Sequence, residues 1–155
     1  MDISLRPYRP EELEESARIR QITGSENLER WRKRLSLSGE WDDHYLHFAV
    51  SVNDLLVGDV QIRHCPLSMP PGVMELGLDI APEKQGMGIG TEVLKVSSKR
   101  MFNEGAHRLS GSTDEKNVAM IRAFEKAGWI HEGTLRGLFN ISGELHDYES
   151  YSIIK

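Results

Sequence analysis

Glycines recur at alternate positions in the stretch DIAPEKQGMGIGTEVL, residues 79–94. Gly86, Gly88 and Gly90 follow an apolar run typical of a strand and precede an amphipathic run typical of a helix. Residues without a Cβ atom let consecutive backbone N–H groups converge at a helix N-terminus, where the helix dipole favours an anion. A pyrophosphate group fits such a turn best. The alternative is that the glycines only make a tight connection from strand to helix.

Two familiar phosphate motifs do not match this glycine turn. A dinucleotide fingerprint needs glycines at the first, third and sixth positions, and here the sixth position is Thr91. The phosphate loop of nucleotide triphosphatases ends in Gly-Lys-Ser/Thr, and no lysine lies between Gln85 and Thr91. The turn therefore indicates a phosphate site of another kind.

The elements around the turn alternate between strands and helices. VMELGLDI predicts a strand before the turn, and GIGTEVLKVSSKRMFNEG predicts a helix after it, closed by Gly105. A strand around HRLSGST then leads to the helix NVAMIRAFEKAG, with Asn117 as its N-cap and Gly128 as its stop. The glycine turn thus lies at the centre of a strand, helix, strand, helix series.

The segments on either side of this series predict further strands and helices, and together all of them form a single domain over residues 1–155. ISLRPY reads as a strand, and helices follow at Pro10 and at ENLERWRKRLSL. Residues 44–63 predict a hairpin that turns at Asn53 and Asp54, with Leu56 in the same row as Val60 and Ile62. WIHEGTLRGLF and ELHDYESYSII predict two terminal strands, and no repeat or linker divides the chain.

Composition excludes several classes of protein. With 19 basic and 24 acidic residues, the net charge of −5 argues against non-specific electrostatic binding to nucleic acid or to an anionic membrane. The single cysteine, Cys65, excludes an intrachain disulfide framework and suits the cytoplasm. The start MDISLRPYRPEE is unlike a signal peptide, and no apolar run is long enough to span a membrane. We predict no metal site, since His44 and His47 would lie on opposite faces of a strand.

The glycine turn and the later helix together resemble the two signatures of the GNAT superfamily of acyl-CoA N-acyltransferases. The first signature is matched by Gln85, Gly88 and Gly90, and the second by Asn117, its helix and the pair Gly128-Trp129. The terminal segment EGTLRGLFNISGELHDYESYSII resembles the branch with Rim-type ribosomal-protein and spermidine acetyltransferases. The resemblance implies an α/β GNAT fold. This is a mixed, mostly antiparallel, twisted seven-stranded sheet with helices on both faces, splayed between strands 4 and 5.

The same resemblance implies acetyl-CoA as co-substrate. Its pantetheine arm would lie in the splay as a substitute strand, near Leu78, Ile80 and Ser112. Its phosphates would lie on the glycine turn, and Asn117 would bind the arm or its water. The cofactor-binding set implied in this way is Leu78, Ile80, Gln85, Gly86, Met87, Gly88, Ile89, Gly90, Thr91, Ser112, Asn117, Phe124 and Lys126. Arg122 and Lys126 are four apart on the helix, and an ordinary solvated basic face is the alternative for them.

Attack of an amine on a thioester requires removal of a proton and stabilisation of an oxyanion. Glu75, on the strand that leads into the turn, is the candidate general base, with Asp79 or Glu144 as substitutes. The alternative is that Glu75 is an exposed strand residue or attracts a cationic substrate. The amide of Leu78 or a neighbour would hold the oxyanion.

One position departs from the family pattern. Many members carry a tyrosine on the second-signature helix that protonates the leaving thiolate, and the matching residue here is Phe124. Either no dedicated acid is needed, because a thiol has a low pKa relative to an amine, or Ser112, Tyr148 or a water replaces the tyrosine.

Two functions remain open at this point. The first is an N-acetyltransferase acting on a primary amine. The acceptor classes left open are a protein N-terminus, a polyamine and an aminoglycoside. The second is an acyl-CoA-binding module without turnover. The first two helices, with Trp31 and Trp41, would line the acceptor groove, or those tryptophans only pack the core. We expect a homodimer, because the terminal strands would leave an exposed edge.

Overall fold

Seven strands form one mixed sheet in the computed structural model, which describes all 155 residues. Their order across the sheet is β1-β2-β3-β4-β5-β7-β6, and only β4 and β5 run parallel. This confirms the expected sheet. The strands are β1 (Ile3–Arg6), β2 (Tyr45–Val52), β3 (Leu55–Arg63), β4 (Val73–Ile80), β5 (Arg108–Asp114), β6 (Ile130–Ile141) and β7 (Glu144–Ile154).

Four helices lie between the strands, and their ends follow the predicted signals. Asn117 caps the last of them by accepting a hydrogen bond of 3.2 Å from the Met120 amide. Gly105 and Gly128 follow the last two helices with positive φ angles. None of the helices is long and apolar enough to cross a membrane. They are α1 (Leu13–Ile19), α2 (Ser25–Ser36), α3 (Ile89–Asn103) and α4 (Val118–Lys126), with 3₁₀ turns at Pro10–Glu12 and Pro82–Lys84.

The alternation of β2 divides the core between the two faces of the sheet. Phe48 and Val50 belong to a cluster of 17 buried residues that includes α3 and α4. Ala49, between them, belongs to a cluster of 6 with Trp31 and Leu35 of α2. Successive strand residues face opposite sides, so α1 and α2 cover one face and α3 and α4 the other. Helices on both faces are therefore confirmed.

A β-bulge corrects one detail of the predicted hairpin. Asn53 and Asp54 turn with φ angles of 50° and 69°, as expected. However, Val50 pairs with Gly58 while Ser51 pairs with Leu56, so one residue of β3 is extra. An extra residue reverses the alternation. The prediction that Leu56 continues the row of Val60 was wrong, because Leu56 packs on the α1 and α2 face.

The splay between β4 and β5 is confirmed by their pairing. The two strands pair at only three positions, which end at Glu75 opposite Ser110. Beyond that point β4 stays paired with β3 alone. The Ala81 amide donates a 2.8 Å bond to Val57 on the β3 side, and antiparallel backbone groups alternate in direction. The N–H and C=O groups of Leu78 and Ile80 therefore face the opening, which leaves an unpaired strand edge.

Candidate active site

A cleft of about 450 Å³ occupies the opening between β4, α3 and α4. It brings together twelve of the thirteen residues predicted to bind the cofactor. Met87 is the exception, since its side chain is 59% exposed and does not line the cleft. The twelve are Leu78, Ile80, Gln85, Gly86, Gly88, Ile89, Gly90, Thr91, Ser112, Asn117, Phe124 and Lys126.

Six consecutive backbone amides at one end of the cleft have no hydrogen-bond acceptor in the protein. They belong to residues 86–91, which precede and open α3. Gly86 and Gly88 have φ angles of 76° and 81°, where a side chain would be strained. The space beside Gly86 is open, and a Cβ on Gly88 would have only the Met1 Cε atom near it, at 4.0 Å. Free amides at the start of a helix form an anion-binding concavity. The turn therefore fits the diphosphate of a nucleotide cofactor.

Three cations also line the cleft. Lys84, Arg122 and Lys126 all border it, and none of them forms a salt bridge within the protein. Cations next to free amides strengthen an anion site, because both favour the same charge. The geometry places Arg122 and Lys126 at the cleft, as the coenzyme-binding alternative requires.

The glycine turn is tied to the end of β4. The Gln85 side chain donates a 3.0 Å bond from Nε2 to the carbonyl oxygen of Ile80. A Cβ on Gly90 would come within 3.6 Å of Ala123 and 3.8 Å of the Leu78 side chain, so α3 passes close to α4 and β4 there. These contacts hold the free amides at the open edge of β4.

Glu75 lies outside the cleft. It stands at the last paired position of β4 and β5, and Arg63 donates a 2.7 Å bond to its Oε1. This ion pair directs the Glu75 carboxylate toward Arg63. Glu144 pairs with Lys116 at 3.3 Å and is also outside the cleft. The role of Glu75 as a base stays a prediction.

Asp79 lines the cleft on the face covered by α1 and α2. Gln61 donates a 3.1 Å bond to its Oδ2, and Arg20 Nε lies 3.7 Å from the same atom. Burial raises the pKa of Asp79, and the nearby Asp59 carboxylate adds to this, while Gln61 and Arg20 oppose it. A carboxylate with a raised pKa beside a cleft is a candidate base. The sequence signal was present, because Asp79 shares a strand face with Glu75 and lies nearer the turn.

Behind Asp79 lies a buried polar cluster that fixes its surroundings. Asp59 is fully buried and accepts hydrogen bonds from the Tyr8 hydroxyl and the Gln61 amide. Arg20 Nη1 lies 3.5 Å from Asp59 Oδ1. Because Gln61 and Arg20 each contact both carboxylates, this cluster holds Asp79 against the cleft rather than free in solvent.

A family model described as an acetyltransferase (GNAT) domain matches residues 2–130. The chain belongs to the GNAT acetyltransferase family. The match confirms the family suggested by the glycine turn and the Asn117 helix. A Bacillus subtilis (strain 168) protein named probable N-acetyltransferase YjcK is 27% identical over 121 residues, which are 74% of this chain. The chain spans 64% of that relative's length.

Solved structures of GNAT proteins share the fold. A chimera of spermidine N-acetyltransferase SpeG from Vibrio cholerae and hSSAT superposes with a TM-score of 0.79 at 20% identity, over 99% of this chain and 96% of that one. Mycobacterium smegmatis RimJ, in complex with CoA-disulfide, also gives 0.79 at 20% identity, over 98% and 81%. These neighbours are of the two kinds that the terminal segment resembles, and at this identity the likeness concerns the fold.

Phe124 closes the floor of the cleft in this GNAT chain. It is 1% exposed and stacks on Tyr151 with 4.8 Å between ring centroids. Its ring also lies 5.1 Å from that of Trp129. Of the side chains considered as substitutes for a tyrosine, only Ser112 borders the cleft, because Tyr148 packs on Phe139 elsewhere.

A second pocket of about 490 Å³ adjoins the cleft on the α1 and α2 face. Trp31 borders it and is also buried in the core, whereas Trp41 borders neither pocket. An acceptor-binding role for Trp31 stays a prediction. The sequence predicts an acceptor groove along the first two helices, and this pocket lies there. The convergence of Arg20 with Arg30 and Arg34 was not predicted, because these side chains meet only after folding. The residues that line the pocket are Arg20, Gln21, Ile22, Thr23, Asn27, Arg30, Trp31, Arg34 and Tyr45.

Proposed function

We propose that this protein is an N-acetyltransferase that transfers the acetyl group of acetyl-CoA to a primary amine. One observation carries the proposal. The unpaired edge of β4 leads directly to six free amides at the start of α3, so one extended ligand with a diphosphate end fits both. The family match and the unpaired cations beside the turn support the same ligand.

The bound co-substrate supplies an activated acyl group as a thioester. Around that group, the protein contributes hydrogen-bond donors and a base. The Leu78 amide faces the opening and is able to donate to negative charge that develops on the thioester oxygen. The neighbouring Asp79 carboxylate is placed to accept the proton that an ammonium group loses before or during attack. Asp79 is better placed for this than Glu75, because Asp79 lines the cleft and Glu75 does not.

The transfer needs no reactant other than the amine and acetyl-CoA. The amine nitrogen forms a C–N bond with the acyl carbon, the C–S bond breaks, and the thiolate leaves. Asp79 receives the amine proton directly or through water. No tyrosine hydroxyl is available at Phe124, so we propose that the thiolate leaves without a dedicated side-chain acid.

The rival function is an acyl-CoA-binding module without turnover. A half-buried carboxylate beside the open strand edge favours the enzyme, because binding alone has no use for a base there. Incubation with acetyl-CoA and a panel of primary amines tests this. We expect thiol release above the amine-free rate, with the acetylated amine identified by mass spectrometry. Tight coenzyme A binding without any acetylated product would favour the module.

We also propose that two copies of the chain pair through the terminal hairpin. β6 is a sheet edge, and seven of the fifteen exposed large apolar side chains lie on β6 and β7. Such a concentration is typical of an interaction surface.

Light scattering is expected to give twice the 17.6 kDa mass of one chain. Leu138→Glu should lower that mass to the monomer value, because it puts a charge on the hairpin. Leu67→Glu is the matched control, since Leu67 is exposed in the loop before β4 and far from β6 in the sheet order. A monomer mass for the unmodified protein would refute the pairing.

A further inference from the structure

The pocket beside the cleft, called the basic pocket below, has a strongly one-sided charge. Three of its nine lining side chains are arginines, and none is a carboxylate. Arg20 lies just after α1, Arg30 and Arg34 lie one turn apart on α2, and Tyr45 opens β2. The pocket is thus a concave site with cations on more than one wall.

The arginines have partial counter-charges, and these lie outside the pocket lining. Arg30 pairs with Glu26 at 2.6 Å, but both side chains are more than 70% exposed, so that pair is weak. Arg34 Nη1 lies 3.4 Å from Asp42 Oδ2. Arg20 is shared between Asp59 and Asp79. Donors of Arg30 and Arg34 therefore stay available to a ligand.

Aromatic rings hold two of the guanidinium groups in place. Arg34 stacks over the Tyr45 ring at 4.4 Å, and Arg20 lies over Trp31 at 5.0 Å. Arg20 Nη1 also donates a 3.0 Å hydrogen bond to the Tyr45 hydroxyl. A planar guanidinium group held by a ring matches the paired oxygens of a carboxylate and loses little side-chain entropy on binding. Of the two arginines with available donors, this applies to Arg34, while Arg30 adds a second cation from the more exposed side.

The basic pocket opens onto the cleft next to the proposed base. Gln21 lines both cavities. Arg20 lies at the junction, because it touches Tyr45 in the pocket and approaches Asp79 in the cleft. A small molecule could therefore place an amine near Asp79 and an anionic group among the arginines.

We infer that the acceptor is an amine that also carries a carboxylate, which Arg30 and Arg34 bind in the basic pocket. The inference rests on the proposed acetyltransferase function and specifies its acceptor. It runs against the overall charge of −5, which mildly suits cationic acceptors. Local charge decides specificity, and a polyamine would bring further ammonium groups against three guanidinium groups.

A matched panel of acceptors tests this inference. The panel contains free α-amino acids, the corresponding amino acid amides, and the polyamines putrescine and spermidine. Rates are compared per fraction of unprotonated amine, because the amides have the lower amine pKa. We expect kcat/KM for the best amino acid to exceed that of its amide by about tenfold to a hundredfold, the effect of one or two charge-assisted hydrogen bonds.

Two variants assign the preference to the basic pocket. The double variant Arg30→Gln/Arg34→Gln should bring the ratio of acid to amide close to one. Arg32→Gln is the control, because Arg32 lies on the same helix, pairs with Glu29 and does not line the pocket. It should leave the ratio as in the unmodified protein. Equal rates for acid and amide, faster transfer to the polyamines, or a ratio that the double variant leaves unchanged would overturn the inference.

A binding measurement separates this inference from the proposed function. Calorimetry of N-acetyl amino acids and their amides, with coenzyme A present, requires no turnover. If the acids bind and their binding depends on Arg30 and Arg34, the basic pocket is a carboxylate site even if no amine is acetylated. Transfer to polyamines, with no binding of the acids, would leave the acetyltransferase standing and remove the carboxylate-bearing acceptor.

Discussion

Asp79→Asn is expected to lower the turnover number by about 10²-fold to 10⁴-fold, the usual contribution of a general base. Asparagine keeps the size of the side chain and an oxygen that accepts the Gln61 hydrogen bond, but it takes up no proton. The affinity for acetyl-CoA should change little, because the proposed phosphate site is formed by the free amides of residues 86–91, away from the Asp79 side chain. Steady-state kinetics with the true acceptor measures this split.

Glu75→Gln is the matched comparison. It removes a carboxylate from the same face of β4, and Glu75 is paired with Arg63 outside the cleft. We expect a much smaller loss than for Asp79→Asn. A larger loss at Glu75 would restore the base predicted from the sequence, and wild-type turnover in both variants would mean that the proton leaves through water alone.

The pH profile should carry the signature of Asp79. Its pKa is raised by burial, so turnover of the unmodified protein should fall as the pH drops through a value above the ordinary aspartate value of about 3.9. The loss in Asp79→Asn should shrink at high pH, where the acceptor amine is already unprotonated.

Stability provides a check that reduced turnover is not unfolding. For an acid whose pKa is raised in the folded state, the stabilising contribution is complete below the unfolded pKa. It is lost as the pH rises through the folded pKa. Ionised Asp79 therefore weakens the fold near neutral pH, and Asp79→Asn should have a thermal midpoint at least as high as the unmodified protein at pH 7.

Local signals were sufficient to predict most of the fold. Gly86 and Gly88 need positive φ angles, Asn117 has the chemistry of an N-cap, and both features are readable from residue type and spacing. The bulge near Val57 was not readable, because an inserted residue changes pairing without leaving a turn signal. Leu56 was assigned to the wrong face for that reason.

The site was predictable where it depends on one continuous segment. Residues 85–91 all come from one turn, and six of the seven line the cleft. The choice of Asp79 over Glu75 as the proposed base was not readable from the sequence. It depends on where each carboxylate lies relative to the cleft and to Arg63 and Arg20, which are distant in the chain. The basic pocket combines segments that meet only after folding, so the net charge of the chain gives no information about the local charge there.

Gly88→Glu is expected to weaken coenzyme A binding by about a hundredfold or more. The new carboxylate would occupy the open space beside the free amides of residues 86–91 and repel the diphosphate. Loss of two charge-assisted hydrogen bonds, each of about 1.5 kcal/mol, accounts for a factor of that size. The substitution also strains a φ angle of 81°, at about 1–2 kcal/mol of stability.

Gly128→Glu is the matched control for that strain. Gly128 has a φ angle of 85°, also has open space beside it and lies outside the cleft. It therefore receives the same charge and a similar backbone penalty without touching the glycine turn. Thermal unfolding of both variants verifies that they are folded to a similar extent.

Calorimetric titration of coenzyme A into the unmodified protein and these two variants tests the central claim, that the glycine turn holds the diphosphate of acetyl-CoA. We predict tight binding to the unmodified protein and to Gly128→Glu, with little or no measurable binding to Gly88→Glu. Equal affinity in a folded Gly88→Glu variant would contradict the claim.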